Sequence, residues 1–264
     1  MAALGGALSY DELVRAWKGL AKKQGFDLHE AACANDRTLL YAEIGSPGKP
    51  VVSLTAGMHG DEPAAPWALF TIVRDGLLDP RFAYNVWPCV NPTGYRAGTR
   101  CNAEGKDINR SFNRGGQTPE ARTIISTLHD RCYRLQIDMH EDCEAHGFYC
   151  YEPTSQPDGF HGPQVVAAVS DAGFPLQDMR MDFDLGYATD TLKLYPGRVL
   201  YDCVESAETV QGLLLNVYVF CRRVAYRVTT FESPATRPWN ERVEMHRLAV
   251  PVALLHAANQ TAVA

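Results

Sequence analysis

His59 and Glu62 fall in the stretch AGMHGDEP (residues 56–63), immediately after the apolar run VVSLT, and His140 closes a second run, YRLQIDMH. A strand that ends in such residues has left the core and offers them as ligands. Residues three apart in a tight turn can address one point, so His59 and Glu62 form a natural pair, with His140 delivered by another strand. Two imidazoles and one carboxylate suit a catalytic zinc ion, which takes three protein ligands and keeps a position for water or substrate. Structural zinc usually has four protein ligands with cysteine prominent, which this set does not match. Taken alone, a His-x-x-Glu pair is a common accident of sequence and a strand-end histidine is often a polar cap. The elements that would bring the three together therefore matter.

Those elements alternate. SYDELVRAWKGLAKKQG opens with a capping box, Ser9 followed by Glu12, puts Leu13, Ala16, Trp17 and Leu20 on one face, and stops at Gly25, which predicts a surface helix. TLLYAEIG and PVVSLTAG predict two strands joined by the turn SPGK and expected to pair with each other. PAAPWALFTIVRDGLL predicts a helix with prolines in its first turn, and FAYNVWPCVNP a strand. Residues 93–117, rich in Gly, Asn and Arg, predict a long functional loop. TPEARTIISTLHD reads as a helix capped by Thr118, YRLQIDMH as the strand that delivers His140, and AYRVTTFESP as a late strand carrying Glu232. Between residues 142 and 200 the pattern predicts one helix, near Gln164–Ala172. ETVQGLLLNVYVFCRRV predicts a further helix and WNERVEMHRLAVPVALLHAA a closing helix bent near Pro251. Strands alternating with helices argue for an α/β layered fold with a mixed, mostly parallel sheet, whose ligands gather where strands end.

Composition narrows the function classes. A chain of 264 residues fits one domain, residues 1–264, that buries roughly three quarters of its unfolded surface. Acidic residues outnumber basic ones, 31 to 25, and the basic ones are scattered, so no phosphate-binding stripe forms and nucleic acid is not an expected partner. The eight cysteines include no Cys-x-x-Cys pair and read as reduced, mostly buried thiols. The first residues lack the basic start and apolar stretch of a secretory signal, and no run of about 18 apolar residues occurs, so no membrane span is expected and the cytoplasm is the expected compartment.

Taken with GKDINRSF (residues 105–112), the pattern resembles the zinc metallocarboxypeptidase family over about residues 50–235. That family carries His-x-x-Glu after a strand, an Asp-x-Asn-Arg block, a strand-end His and a catalytic Glu on a late strand. The corresponding residues here are His59 and Glu62, then Asp107 with Asn109 and Arg110, then His140 in DMHED, then Glu232 in TTFESP. The resemblance implies a three-layer αβα fold and one zinc ion per chain. It implies Glu232 as the group that takes a proton from water and returns it to the leaving amine. Arg100 holds the place of the family's oxyanion-stabilising arginine, with Arg96 as its rival. Asn109 and Arg110 hold the place of the pair that recognises a free carboxylate, and Asp107 fits the acceptor of a spare zinc-histidine N–H. Asp138 could do the same for His140 or serve as a structural cap.

Other residues carry less. Glu141, Asp142 and Glu144 read as a solvated acidic loop, and His29, His129, His146, His161, His246 and His256 show no companion spacing. Cys101 and Cys143 have no flanking base, and no Gly-x-Ser-x-Gly elbow marks a serine nucleophile. The family's mobile tyrosine has five competitors, Tyr187, Tyr195, Tyr201, Tyr218 and Tyr226, and is assigned to none. The chain is most similar to the compact bacterial branch, which includes murein peptide amidases. A sister branch, the aspartoacylase and succinylglutamate desuccinylase group, shares the same blocks and deacylates amino acids, but it carries a β-rich portion after the catalytic Glu for which the residues following Glu232 leave little room. The expected activity is zinc-dependent hydrolysis of a peptide or amide bond beside a residue with a free carboxylate, on a small peptide substrate. An N-acyl amino acid deacylase and an inactive metal- or ligand-binding module are the alternatives.

Overall fold

The computed structural model describes residues 9–33, 37–113, 116–128, 132–156, 159–179, 192–201 and 214–260. Along the chain these form α1 (Tyr10–Gln24), β1 (Asp27–Cys33), β2 (Arg37–Ile44), β3 (Val51–Ala56), α2 (Ala64–Arg74), β4 (Ala83–Trp87), α3 (Pro92–Ala97), α4 (Pro119–Leu128), β5 (Tyr133–Asp142) and β6 (Tyr149–Pro153). They continue with α5 (Gly162–Asp171), β7 (Leu192–Tyr195), β8 (Arg198–Tyr201), α6 (Leu215–Cys221), β9 (Val228–Pro234) and α7 (Trp239–Asn259). The helix starts follow the sequence closely. Ser9 and Glu12 close a reciprocal capping box and Gly25 ends α1 in the left-handed region at φ 74°, while Thr118 Oγ1 accepts the Ala121 N–H.

The nine strands among the described residues join one mixed sheet in the order β1-β2-β4-β3-β5-β9-β6-β8-β7. Its centre, β4-β3-β5-β9, is parallel, and antiparallel pairings flank it at β1-β2, β2-β4, β9-β6 and β8-β7. Apolar residues pack on both faces, which makes three layers. Val52, Leu54, Ala56, Leu135, Ile137 and Met139 share one core with α1, α2, α5 and α7. On the opposite face Trp87, Tyr133 and Val228 share the other with α4 and α6. Because side chains alternate along a strand, the neighbours of Ile137 and Met139 on β5, Gln136, Asp138 and His140, point to this second face. Its central strands are therefore buried and polar, an arrangement that pure core-building does not require.

Several expectations change. The strands β2 and β3 do not pair, because β4 lies between them and bonds to both. A chain that returns through α2 brings β4 in parallel beside β3, as a right-handed crossover does. No sequence pattern predicts β1, nor β6, β7 and β8 in and around the segment 142–200, where only α5 is expected. Residues 93–117 are not loop throughout, since α3 runs to Ala97 and Ile108–Arg110 makes a single 3₁₀ turn. Within ETVQGLLLNVYVFCRRV the helix is α6, and residues 208–213 lie outside the described residues. The closing helix α7 continues through Pro251, whose missing N–H removes one backbone bond.

Candidate metal centre

The turn after β3 is shaped by two glycines. Gly57 sits at φ 63°, and a Cβ on Gly60 would overlap the backbone of Gly94, so Met58 can bury inward while His59 swings toward β5. His59 Nδ1 lies 2.5 Å from Glu62 Oε1, and His140 Nδ1 lies 2.8 Å from Glu62 Oε2. The two rings are 4.9 Å apart between centroids. The three sequence-derived ligands thus converge, all buried, with one ligand atom each within 4.8 Å of the others.

The outward nitrogens settle what the inward ones present. His59 Nε2 lies 3.2 Å from Asp107 Oδ1 and His140 Nε2 lies 3.0 Å from Asp138 Oδ2. A carboxylate there takes the ring N–H and leaves the Nδ1 lone pair aimed at Glu62. Two nitrogen lone pairs and a carboxylate then face one another with no donor among them, a set that fits a divalent cation. Without one, protons take its place. Burial opposes protonating His59, but Glu62 and Asp107 outweigh it and hold its pKa above the ordinary value. Burial likewise opposes His140, and Asp138 with Glu62 raises it well above. Burial would push Glu62 up, yet the two imidazoles hold it far below the carboxylate range.

The loop from Arg100 to Arg110 closes over this cluster and is anchored by asparagines. Asn91 Nδ2 donates to the Arg100 carbonyl at 3.1 Å, and Asn102 Oδ1 accepts the Lys106 N–H. Asp107 caps the 3₁₀ turn through the Asn109 N–H at 2.8 Å, and its other oxygen takes the Arg100 guanidinium at 3.0 Å. Arg100 is half-exposed with Nη1 3.8 Å from Glu62 Oε1, at the rim of the cluster. Arg96 is elsewhere, bonded to Asp11 and stacked over Tyr10. It lines a surface cleft of about 460 Å³ with Tyr10, Asp61 and Tyr95, among whose lining residues none of the three ligands appears. Arg110 donates to the Asn109 carbonyl at 3.1 Å. The Asn109 amide oxygen accepts the Leu215 N–H at 3.0 Å, and its Nδ2 lies 3.4 Å from His140 Nε2, which with its proton turned to Asp138 gives that amide nitrogen no acceptor.

Glu232 enters from the next strand. It stands directly opposite His140 in the β5-β9 register and opposite Tyr149 in the β9-β6 register, so the three share a row on one face. Burial raises its pKa well above the ordinary value; His140 opposes the rise, and Glu62, Asp142 and Asp138 add to it. Of the tyrosines singled out by sequence, Tyr187 lies outside the described residues. Tyr195 stacks with Arg198, Tyr218 packs on Phe112 and Tyr226 stacks with Arg134. Tyr201 sits on β8, two strands from Glu232. The tyrosine beside Glu232 is Tyr149, whose hydroxyl donates to Asp142 Oδ2 at 2.6 Å. No sequence signal marks Tyr149, because β6 has only five residues and too little periodicity to predict a strand.

The acidic loop also differs from expectation. Glu141 is buried, not solvated: its carboxylate accepts the Ala64 N–H and pairs with Arg242, both at 2.5 Å. Among the other histidines, His246 is buried and its Nε2–H donates to the His140 carbonyl at 3.0 Å. The only sequence signal for it was its place one turn beyond Arg242 on a helix. His129 lies outside the described residues.

Known proteins resemble this chain in sequence and in fold. A stretch of 60 residues is 42% identical to murein peptide amidase A of Escherichia coli strain K12, which is 22% of this chain and 24% of that protein, so the match spans about a quarter of the relative's length. A crystal structure from Shewanella denitrificans OS217, provisionally named a metallopeptidase, superposes with a TM-score of 0.76 at 20% identity, covering 95% of this chain and 91% of that one. Carboxypeptidase A from Helicoverpa armigera gives a TM-score of 0.67 at 18% identity, covering 96% and 74%. At such identities the likeness is one of fold. The profile of the succinylglutamate desuccinylase/aspartoacylase catalytic domain matches residues 48–184, just over half of the chain. On that match the chain belongs to the succinylglutamate desuccinylase/aspartoacylase catalytic-domain family, a hydrolase built on the metallocarboxypeptidase fold.

Proposed function

We propose that the protein is a zinc-dependent hydrolase that cleaves a peptide or amide bond beside a residue with a free carboxylate, on a small peptide of the muropeptide class. The observation that carries this reading is the convergence of His59 Nδ1, Glu62 and His140 Nδ1, with the spare ring nitrogens held by Asp107 and Asp138 and Glu232 alongside. His59, Glu62 and His140 would hold one zinc ion, which when bound supplies Lewis acidity and lowers the pKa of water at the open position. Glu232 takes the proton of the attacking water and returns it to the nitrogen of the breaking C–N bond, so that an acid and an amine leave. Arg100, at the rim, stabilises the negative charge that develops on the carbonyl oxygen. Arg110 pairs with the substrate carboxylate, and Asn109 joins it by donating from its Nδ2 amide while its oxygen keeps the Leu215 N–H. The described cysteines are free thiols, which suits a reducing cytoplasm. Among the described residues no helix is long and apolar enough to cross a membrane.

The family match favours a second reading, deacylation of an N-acyl amino acid by the same groups. A zinc-loaded preparation offered muropeptides, C-terminal peptides and N-acyl amino acids separates the two. Turnover of muropeptides supports the first reading, and turnover confined to N-acyl amino acids replaces it with the second. Chelation that stops hydrolysis without moving the melting curve supports a catalytic ion. Chelation that unfolds the chain supports a structural one.

A further inference from the structure

Side-chain alternation sends Glu141 through the sheet to the face opposite His140, where α2 and α7 pack. There it joins three parts of the chain. Its carboxylate caps the start of α2 through Ala64 and holds Arg242 of α7, while its own N–H donates to Glu62 Oε2 at 3.2 Å. One turn further along α7, His246 holds the His140 carbonyl. The start of α2 has no local side-chain cap, so Glu141 alone among the described side chains closes it. Glu62 and His140 are 78 positions apart in sequence, and their separation is therefore set by what clamps the two backbones.

We propose that Arg242 and His246 are positioning residues of the metal centre: α7, beyond the residues matched by the family profile, fixes the distance between Glu62 and His140 and with it the affinity for the ion. The inference rests on the metal-centre reading above. Arg242 fixes Glu141, which fixes both the start of α2 next to Glu62 and the backbone beside His140. His246 fixes the carbonyl of His140 itself. A site that tolerates about half an ångström of misplacement loses affinity when such a clamp is removed.

The test is zinc affinity of the full chain, by competition with a chromophoric chelator, together with the visible spectrum of the cobalt form and the melting temperature of the metal-free form. Arg242→Met is expected to weaken zinc by about 10- to 100-fold, as for other outer partners of metal ligands, and to shift the cobalt bands. Arg242→Lys should recover most of the loss. His246→Leu should weaken zinc in the same direction and His246→Gln, which keeps a donor, less so. Arg247→Met is the control, because Arg247 also ties α7 to the α2 region, through Asp75, but away from the metal turn. It should change zinc affinity by less than about 2-fold, within the scatter of a surface ion pair. Should Arg242→Met fail to fold, the His246 pair decides. Zinc affinity and cobalt spectrum unchanged in folded Arg242→Met or His246→Leu would overturn the proposal. A wild-type chain that binds no zinc would instead remove the metal-centre reading beneath it.

Discussion

Two helices of this fold, α2 and α5, begin without a local side-chain cap, and each is closed by a buried glutamate that arrives from a strand. Glu141 closes α2 and is backed by Arg242; Glu152 of β6 accepts the N–H groups of His161 and Gly162 at 2.7 and 3.0 Å and is backed by Arg198. Both corners put a carboxylate against the positive end of a helix and neutralise it with a guanidinium. They differ in what the backbone beside the carboxylate holds. Around Glu152 the partners are donors: two backbone N–H groups, the Gln156 amide and Arg198. The Glu141 carboxylate is likewise met by donors, the Ala64 N–H and Arg242, but its backbone N–H donates to Glu62, whose acceptor atoms converge with those of His59 and His140. Buried charge alone does not mark a site, because a corner filled with donors is complete as it stands. A corner where acceptors converge calls for a cation.

The comparison can be broken most forcefully with paired Glu→Gln changes. Glu232→Gln removes only the proton carrier and should lower turnover by about 10²- to 10⁴-fold with zinc content unchanged. Retained turnover in that variant would remove Glu232 from the mechanism. Arg100→Ala should cost about 10²- to 10³-fold in kcat, whereas Arg96→Ala, on the far side of the metal turn, should stay within about 2-fold. Equal effects of the two would mean that Arg100 has no special place.

At the Glu152 corner, which adjoins none of the three ligands, the expected pattern reverses. Glu152→Gln leaves Arg198 without its counter-charge and should lower stability by about 3 kcal/mol, seen as a fall in melting temperature of roughly 6–12 °C, while zinc binding persists. Loss of zinc in that variant would erase the distinction between the corners. The smallest effect concerns His161, which is buried with no hydrogen-bond partner for either ring nitrogen among the described residues. Burial first, then the charges of Arg227, His256 and Arg134, hold its pKa well below the ordinary value. The folded state therefore binds fewer protons than the unfolded one. Its contribution is complete above the unfolded pKa of about 6.5 and is lost as pH falls below it, at up to about 1.4 kcal/mol per pH unit. Melting curves of His161→Phe should fall less steeply with acid than those of the wild type; parallel curves would show that His161 does not carry the acid sensitivity.

The site was more legible in the sequence than the sheet that builds it. His59, Glu62 and His140 could be named because each sits where an apolar run stops, a local signal that survives without tertiary knowledge. The strands β6, β7 and β8 went unread because they are only four or five residues long, and β7 is largely exposed at the sheet edge, so periodicity has little to register. The strand β1, DLHEAAC, mixes charged and small residues without a clear alternation and also lies at an edge. The expected pairing of β2 with β3 failed because the sequence shows that two strands are adjacent in order but not which strand slips between them. Glu141 was misread for a similar reason. Its charge looks solvated until Arg242, 101 positions later in the chain, folds back onto it. Strand alternation already offers Asp138 as an acceptor for His140 or a structural cap, and the 3.0 Å contact decides for the acceptor, whereas Tyr149 is interpretable only through register, which sets it opposite Glu232.

The central claim is that side chains 59, 62 and 140 hold a single ion with an open position. X-ray absorption at the zinc edge on the purified, zinc-loaded chain tests it directly. The account predicts one zinc per chain with nitrogen and oxygen neighbours at about 2.0–2.2 Å and no sulfur, lost on His140→Ala. No bound zinc, or sulfur neighbours at about 2.3 Å, would contradict it.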